Sequence, residues 1–214
     1  MKLPDEVPVM TLPNATLFPQ AMLPLYIFEP RYRKMLEDAL ASHRMFSVAM
    51  QKPGIKRESP CPVAGLGLIR ASVKNKDGTS HLILQGLARI RFEETVCRKP
   101  YRVERFHTLM PEENESVAVD ALTTKVRELV TRRVETTKGK PALDPEPQLP
   151  SLEQFAEHLN KVSDPDQVAD MAACVMLREP AQRQTILEAV ELEPRLRLLV
   201  QFLVAQDNKP ADES

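Results

Sequence analysis

The chain contains no tryptophan, only six glycines and three cysteines in 214 residues, and almost no net charge: 29 lysines and arginines against 30 aspartates and glutamates leave −1. Each shortage excludes something. Without tryptophan there is no indole to anchor an interface or stack on a ligand. A net charge near zero provides no long-range field to gather nucleic acid or an anionic membrane. Cys61, Cys97 and Cys174 are odd in number and form no C-x-x-C pair, which excludes a disulfide scaffold and predicts free thiols in a reducing compartment. No window approaches 18 uninterrupted apolar residues, so no transmembrane helix is expected. The opening MKLPDEVPVM lacks the continuous apolar core of a secretion signal, and the cytoplasm is the expected location. There is no G-x-x-x-x-G-K-[ST] loop and no G-x-S-x-G elbow. His43, His81, His107 and His158 are scattered without metal-ligand spacing. No catalytic residue, cofactor or metal is therefore expected, and a small-ligand enzyme or sensor has no motif in its favour.

What the chain has in excess is proline, 19 in all. The densest stretch is Leu12 to Arg33, where Pro13, Pro19 and Pro24 fix φ and remove three backbone donors. Leu25 to Phe28 reads as a short buried strand. Glu29-Pro30 opens a helix, with Tyr32, Met35, Leu36, Ala39 and Leu40 on one face. Strands follow at Met45–Met50 and Val63–Ala71, where Gly65 and Gly67 suggest a bulge or a close backbone approach. Asp77-Gly78 marks a hairpin turn. Ala88, Ile90 and Phe92 alternate with Arg89, Arg91 and Glu93, and Tyr101 and Val103 with Arg102 and Glu104, the period of half-buried strands. From Ser116 the period becomes helical, with Leu122, Val126, Leu129 and Val130 on one face. Lys138 to Pro150 holds four prolines and is expected to be a stiff, mobile connector. Ser151-x-x-Gln154 spells a capping box for a helix with Leu152, Phe155, Ala156 and Leu159 inward. Asp164-Pro165, Glu179-Pro180 and Glu193-Pro194 introduce three more helices. The first of these is expected to bury Val168, Met171, Ala172 and Val175.

Leu17-Phe18-Pro19 followed by Leu23-Pro24-Leu25-Tyr26-Ile27-Phe28-Glu29-Pro30-Arg31-Tyr32 resembles the entry of the N-terminal, substrate-binding domain of the Lon protease family. Leu82-Ile83-Leu84-Gln85-Gly86-Leu87-Ala88-Arg89-Ile90 is similar to that family's strand–glycine–strand element. Pro100-Tyr101-Arg102-Val103 is similar to its next strand, and Asp164 to Leu203 to its closing helices. One departure is Gln20, where the family often has glycine; φ above zero is then harder to reach, and a different turn is expected. The resemblance implies an α+β fold: a PUA-like β-barrel over residues 5–112 carrying one inserted helix, then a helical subdomain over 116–206. The connector 138–150 lies within the latter, and 207–214 is a polar tail. It also implies a non-enzymatic module that contacts polypeptides, here as a stand-alone chain without the ATPase and Ser-Lys peptidase domains. Its partners would be unfolded or peptide clients and a separate protease.

The candidate contact residues are Phe18, Met22, Leu23, Tyr26 and Tyr32, taken to leave apolar surface beside the proline-bounded loop. The competing reading is that these residues merely fill the barrel core and the seam to the first helix. Arg89, Arg91, Arg98, Lys99, Arg102 and Arg105 raise an alternative, a PUA-like RNA binder. A solvated strand face is the plainer explanation, because Glu93, Glu94 and Glu104 dilute the charge. Each cysteine reads as a small buried hydrophobe. Arg98-Lys99 would lower the pKa of Cys97, whereas Cys174 sits among Ala172, Ala173 and Val175 and should be inert.

Overall fold

The computed structural model describes residues 3–111, 116–137 and 151–207. The expected connector 138–150 and residues 208–214 of the expected tail lie outside the described residues. The chain divides into two compact units, Met1–Met110 and Pro111–Ser214.

The first unit is a sheet of six strands with one helix: β1 (Glu6–Leu12), β2 (Met22–Ile27), α1 (Pro30–Ala41), β3 (Met45–Met50), β4 (Val63–Lys74), β5 (Ser80–Cys97) and β6 (Arg102–Leu109). The strand order is β2-β5-β4-β3-β1-β6, and β6 also pairs with β5. Five strands thus close into a ring, and β2 is added outside it along the first half of β5. Closure depends on the length of β5, whose early residues pair with β2 and whose later residues pair with β6. Register shifts between Phe92 and Glu94 and between Thr95 and Cys97 let it curve. The expected strand–glycine–strand element is one strand running through Gly86.

Two apolar clusters fill the two faces. Val7, Val9, Met45, Ala49, Ala64, Leu66 and Ile90 form one. The other joins α1 to the sheet through Tyr32, Met35, Leu36 and Ala39 against Met10, Phe46, Val48, Ile69 and Leu84. Because both faces of β3 are covered, all six of its residues are buried. Pro30 sits at the start of α1, where its missing N–H is harmless.

The second unit is helical: α2 (Val117–Thr137), α3 (Leu152–Lys161), α4 (Pro165–Met176), α5 (Pro180–Glu188) and α6 (Leu192–Asp207). The capping box is formed as spelled: Gln154 N–H donates to Ser151 Oγ at 3.2 Å, and Ser151 N–H donates to Gln154 Oε1 at 3.1 Å. Pro165 and Pro180 open α4 and α5, and the Asp164 side chain accepts from Asp166 N–H. One expected helix face is shortened and the next is rotated, with α3 burying Phe155, Ala156 and Leu159 as expected. In α3 Leu152 is exposed. In α4 Val175 is exposed and Met171 half-buried, while Ala169, Ala173 and Met176 are buried with Val168 and Ala172. Small alanines allow close helix approach, and periodicity counted on large residues alone misses them.

The first turn of α6 carries the least expected residue of this unit. Arg195 is fully buried. Its guanidinium donates to Asp166 Oδ1, to Asp170 Oδ1 at 3.3 Å, to the Ala189 carbonyl at 2.7 Å and to the Val190 carbonyl. Such an ion can be buried because its donors are satisfied within the fold.

Candidate functional site

The structure separates the five candidate contact residues into two groups. Phe18 is 0% exposed and Tyr32 4%, so neither is available to a partner. The reason for Phe18 lies in the glycines opposite it. A Cβ on Gly86 would stand 1.9 Å from the Phe18 carbonyl oxygen, and one on Gly65 would stand 2.0 Å from that of Leu17. The Leu17-Phe18 peptide is thus pressed onto bare backbone of β4 and β5, and both side chains enter the interior. The close approach read from Gly65 is therefore real. Tyr32 is held by its hydroxyl, which accepts from Thr11 N–H and donates to Thr11 C=O, both at 3.1 Å. Burial pushes its phenol pKa up. For these two residues the core-filling reading is correct.

Met22 and Tyr26 behave otherwise, being 58% and 49% exposed, with Leu23 between them half-buried against the α1-side cluster. The segment expected as a buried strand at Leu25–Phe28 is instead the end of an edge strand, with Phe28 just beyond it and 58% exposed. β2 pairs only with β5 among the described residues, so one side of it stays open, and only alternate residues turn inward. It also contains no charged residue, the usual device by which an open edge is protected.

The register turns these residues into a surface. Pro24 pairs with Ile83, which pairs with Ala71; Tyr26 pairs with His81, which pairs with Val73. The two rows cross β2, β5 and β4 and line a shallow depression of about 450 Å³. Val73 and Ile83 are exposed there, and the Tyr26 ring lies 4.8 Å from that of His81 and 5.8 Å from that of Phe28. Sequence reading missed Phe28, Val73, His81 and Ile83. The signal was present in Leu82-Ile83-Leu84, which is apolar at both strand parities, more than a one-sided core needs.

The preceding loop keeps its shape despite the residue at position 20. Gln20 adopts φ 64° and its N–H donates to the Gly86 carbonyl at 3.0 Å. The left-handed turn expected to be lost without glycine is made by glutamine.

The arginine cluster is not a solvated face throughout. Arg89 and Arg102 are buried, as is Glu104. Arg102 donates to Glu104 Oε1 at 2.6 Å and to Thr95 Oγ1 at 3.2 Å. Ring closure by β6 places this face inside, which the alternation with Tyr101 and Val103 did not reveal. Arg105 is exposed and paired with Glu94 and Glu6. Cys61 is buried and Cys174 half-buried, with its thiol pKa raised by burial. Cys97 departs from the expected pattern: it is exposed, with its Sγ 2.9 Å from the Lys99 carbonyl. Among the described residues no group of three or more His, Cys, Asp or Glu side chains is placed to hold a metal, and no helix is long and apolar enough to cross a membrane.

Comparison with known proteins bears on the whole chain. The family model described as the ATP-dependent protease La (LON) substrate-binding domain matches residues 6–205. The Lon protease of Desulfosudis oleivorans is 24% identical over 207 residues, covering 94% of this chain and 24% of that protein. The Lon protease of Trichlorobacter lovleyi is 27% identical over 219 residues, covering 98% and 25%. The chain spans about a quarter of the length of the curated relatives it matches. Among solved structures, the N-terminal domain of a Mycobacterium avium complex Lon protease superposes with a TM-score of 0.73 at 17% identity, covering 93% of this chain and 98% of that one. A Lon N-terminal domain protein from Xanthomonas campestris gives 0.63 at 20% identity, covering 92% and 98%. These likenesses establish the fold.

Proposed function

Because the chain belongs to the ATP-dependent protease La (LON) substrate-binding domain family, we propose that it is a non-enzymatic polypeptide-binding module that engages exposed apolar segments of client proteins. It would act as an adaptor or client-presenting element in proteolysis, in the cytoplasm. The observation that carries this reading is the largely apolar face across β2, β5 and β4, where Met22, Tyr26, Val73 and Ile83 are 58%, 49%, 64% and 42% exposed, and where Arg70 at the Met22 end is engaged with Gln85. Contiguous apolar surface at an open sheet edge suits an extended segment, which adds main-chain hydrogen bonds along β2 and sets side chains into the depression. Leu23 supports the strand from beneath, and Phe18 and Tyr32 hold the loop and the helix that frame it. The nucleic-acid alternative is not favoured, since two of its arginines are buried and a third is paired.

Affinity for an unfolded client should be modest, on the order of micromolar, since one small patch offsets little more than the entropy of association. It should vary little with salt. The test is Met22→Asp or Tyr26→Asp against Lys76→Asp, with binding of a fluorescent unfolded protein as the readout. Met22→Asp should weaken binding at least tenfold with the far-ultraviolet spectrum unchanged. Unaltered binding by folded Met22→Asp and Tyr26→Asp would remove the face from consideration. The same preparation should not hydrolyse ATP or cleave the client.

A further inference from the structure

A second surface of the barrel unit has the opposite character. Two adjoining depressions, of about 360 and 260 Å³, share Arg57, Glu58, Arg98 and Arg102, and the smaller also takes in Lys52 and Glu104. Four cations against two carboxylates leave a local surplus of two positive charges. The carboxylates are already engaged. Glu104 accepts from Arg102 and Thr95, and Glu58 accepts from Arg31 and from Thr11 Oγ1. Arg57, Arg98 and Lys52 make no ion pair among the described residues. Arg102, at the floor, is nine-tenths buried. Its Nε lies 3.5 Å from Glu58 Oε1 but has no hydrogen-bond partner.

The loop presenting Arg57 is built rather than loose. The Gln51 side chain donates to the carbonyls of Ile55 and Arg57 at 2.8 and 2.9 Å and accepts from Ser59 N–H at 2.9 Å. Gln51 itself bridges to Pro60, which closes the loop at its base. A charged side chain on a braced loop loses less freedom on binding than one on a free loop.

We propose that this depression binds a phosphate dianion. Guanidinium groups present paired donors suited to tetrahedral and carboxylate oxygens, and a phosphate monoester carries close to the two charges that the site lacks. A single carboxylate would leave half of the surplus unneutralised. The phosphate is either free or borne on a phosphorylated side chain of a bound polypeptide. The site lies on other residues than the apolar face, so Met22→Asp should leave it unchanged.

The experiment is titration of the intact chain at constant ionic strength, following the backbone amide resonances of Arg57 and Arg98. The probes are inorganic phosphate, a phosphoserine peptide and its unphosphorylated form. Saturable shifts are expected with inorganic phosphate and with the phosphoserine peptide, the latter weakening as pH falls through about 6 because the second ionisation of the monoester is lost. Arg57→Ala with Arg98→Ala should weaken binding at least tenfold, while Lys125→Ala should have no effect. Both arginines are exposed, and an unchanged circular dichroism spectrum verifies the fold. A phosphopeptide at least tenfold tighter than inorganic phosphate assigns the site to phosphorylated polypeptide; equal affinity assigns it to free phosphate. Non-saturating shifts, equal titration of the double variant, or equal binding of the unphosphorylated peptide would overturn the proposal.

Discussion

Both units of the molecule bury arginine, and Arg195 and Arg102 are treated differently. Arg195, in the helical unit, is 0% exposed, and its donors go to two carboxylates and two backbone carbonyls. Arg102, in the barrel unit, is 8% exposed, shares Glu104 with Thr95, donates to the Glu58 carbonyl at 3.4 Å, and keeps its Nε, 3.5 Å from the Glu58 carboxylate, without a hydrogen bond. The first is a pin: every charge that it brings inside is answered by the fold, leaving nothing for a ligand. The second sits under Arg57, Arg98 and Lys52 with donors in surplus. Burial of a charge therefore marks structure where the hydrogen bonds close, and marks a candidate site where they do not.

The largest expected effect tests the pin. Arg195→Met removes the guanidinium that pairs with Asp166 and with Asp170, which is 2% exposed, and should cost about 3–5 kcal/mol, the usual result of breaking a buried pair from one side. Arg102→Met should cost less, because Glu104 keeps the Thr95 hydroxyl and Glu58 keeps Arg31. Hydrogen exchange separates the units: Arg195→Met should erase protection in α4 and α6 while β3 and β4 keep theirs. A larger loss from Arg102→Met would reverse the distinction drawn between the two arginines.

The difference between the units also governs what the sequence revealed. The helical unit was legible at its ends, since Ser151, Gln154, Pro165 and Pro180 act locally and stand where the capping rules put them. Arg195 was not, because its partners lie 25 and 29 residues away and only folding brings them together. In the barrel unit the strands and the Asp-Gly turn were legible for the same local reason. Family resemblance supplied the barrel; periodicity alone did not. Phe18 and Tyr32 were misplaced as contact residues because apolar character near a loop does not say which side faces water. Met22 and Tyr26, expected to leave surface exposed beside the loop, are exposed, whereas Phe28, Val73 and Ile83 become visible only through the register of β2, β5 and β4.

A smaller effect probes how the barrel closes. The described helical residues contain no glycine, while Gly65 and Gly86 let the Leu17-Phe18 peptide lie against β4 and β5. Gly86→Ala places a methyl group 1.9 Å from a backbone oxygen, a clash that no side-chain rotation relieves. It should cost about 1–3 kcal/mol by overpacking. Gly54→Ala, with nothing within 4 Å but φ at 75°, should act only through backbone strain of about 1–2 kcal/mol. Equal protection of β5 in the Gly86→Ala and parent proteins would mean that the loop withdraws from the sheet without loss.

The smallest effect is a pH response confined to the barrel unit, which holds all three tyrosines, Tyr26, Tyr32 and Tyr101. Tyr101 donates its hydroxyl to Asp38 Oδ2 at 2.8 Å. Burial, then the hydrogen bond to Asp38, push its phenol up to about 12 from an ordinary value of 10.0. The neutral phenol is thus favoured in the folded chain. The stability that it contributes is fully present below pH 10 and is lost as pH rises through about 12. Asp38 shifts the other way: hydrogen bonds from Lys34, then Tyr101, hold its carboxyl below 3.8. Its contribution is present above that value and is lost only as pH falls through the lowered one. Phenolate absorbance should therefore show late titration from both Tyr32 and Tyr101, and Tyr101→Phe should lower its amplitude by one phenol. Chemical unfolding of the parent should become easier across the window from pH 10 to about 12, and that slope should be shallower in Tyr101→Phe. Hydrogen exchange in α4 and α6 should not distinguish the two proteins at any pH in that window. If the variant keeps the full late amplitude, Tyr101 contributes nothing to it, and the hydrogen bond from the residue before β6 to α1 does not hold that phenol neutral.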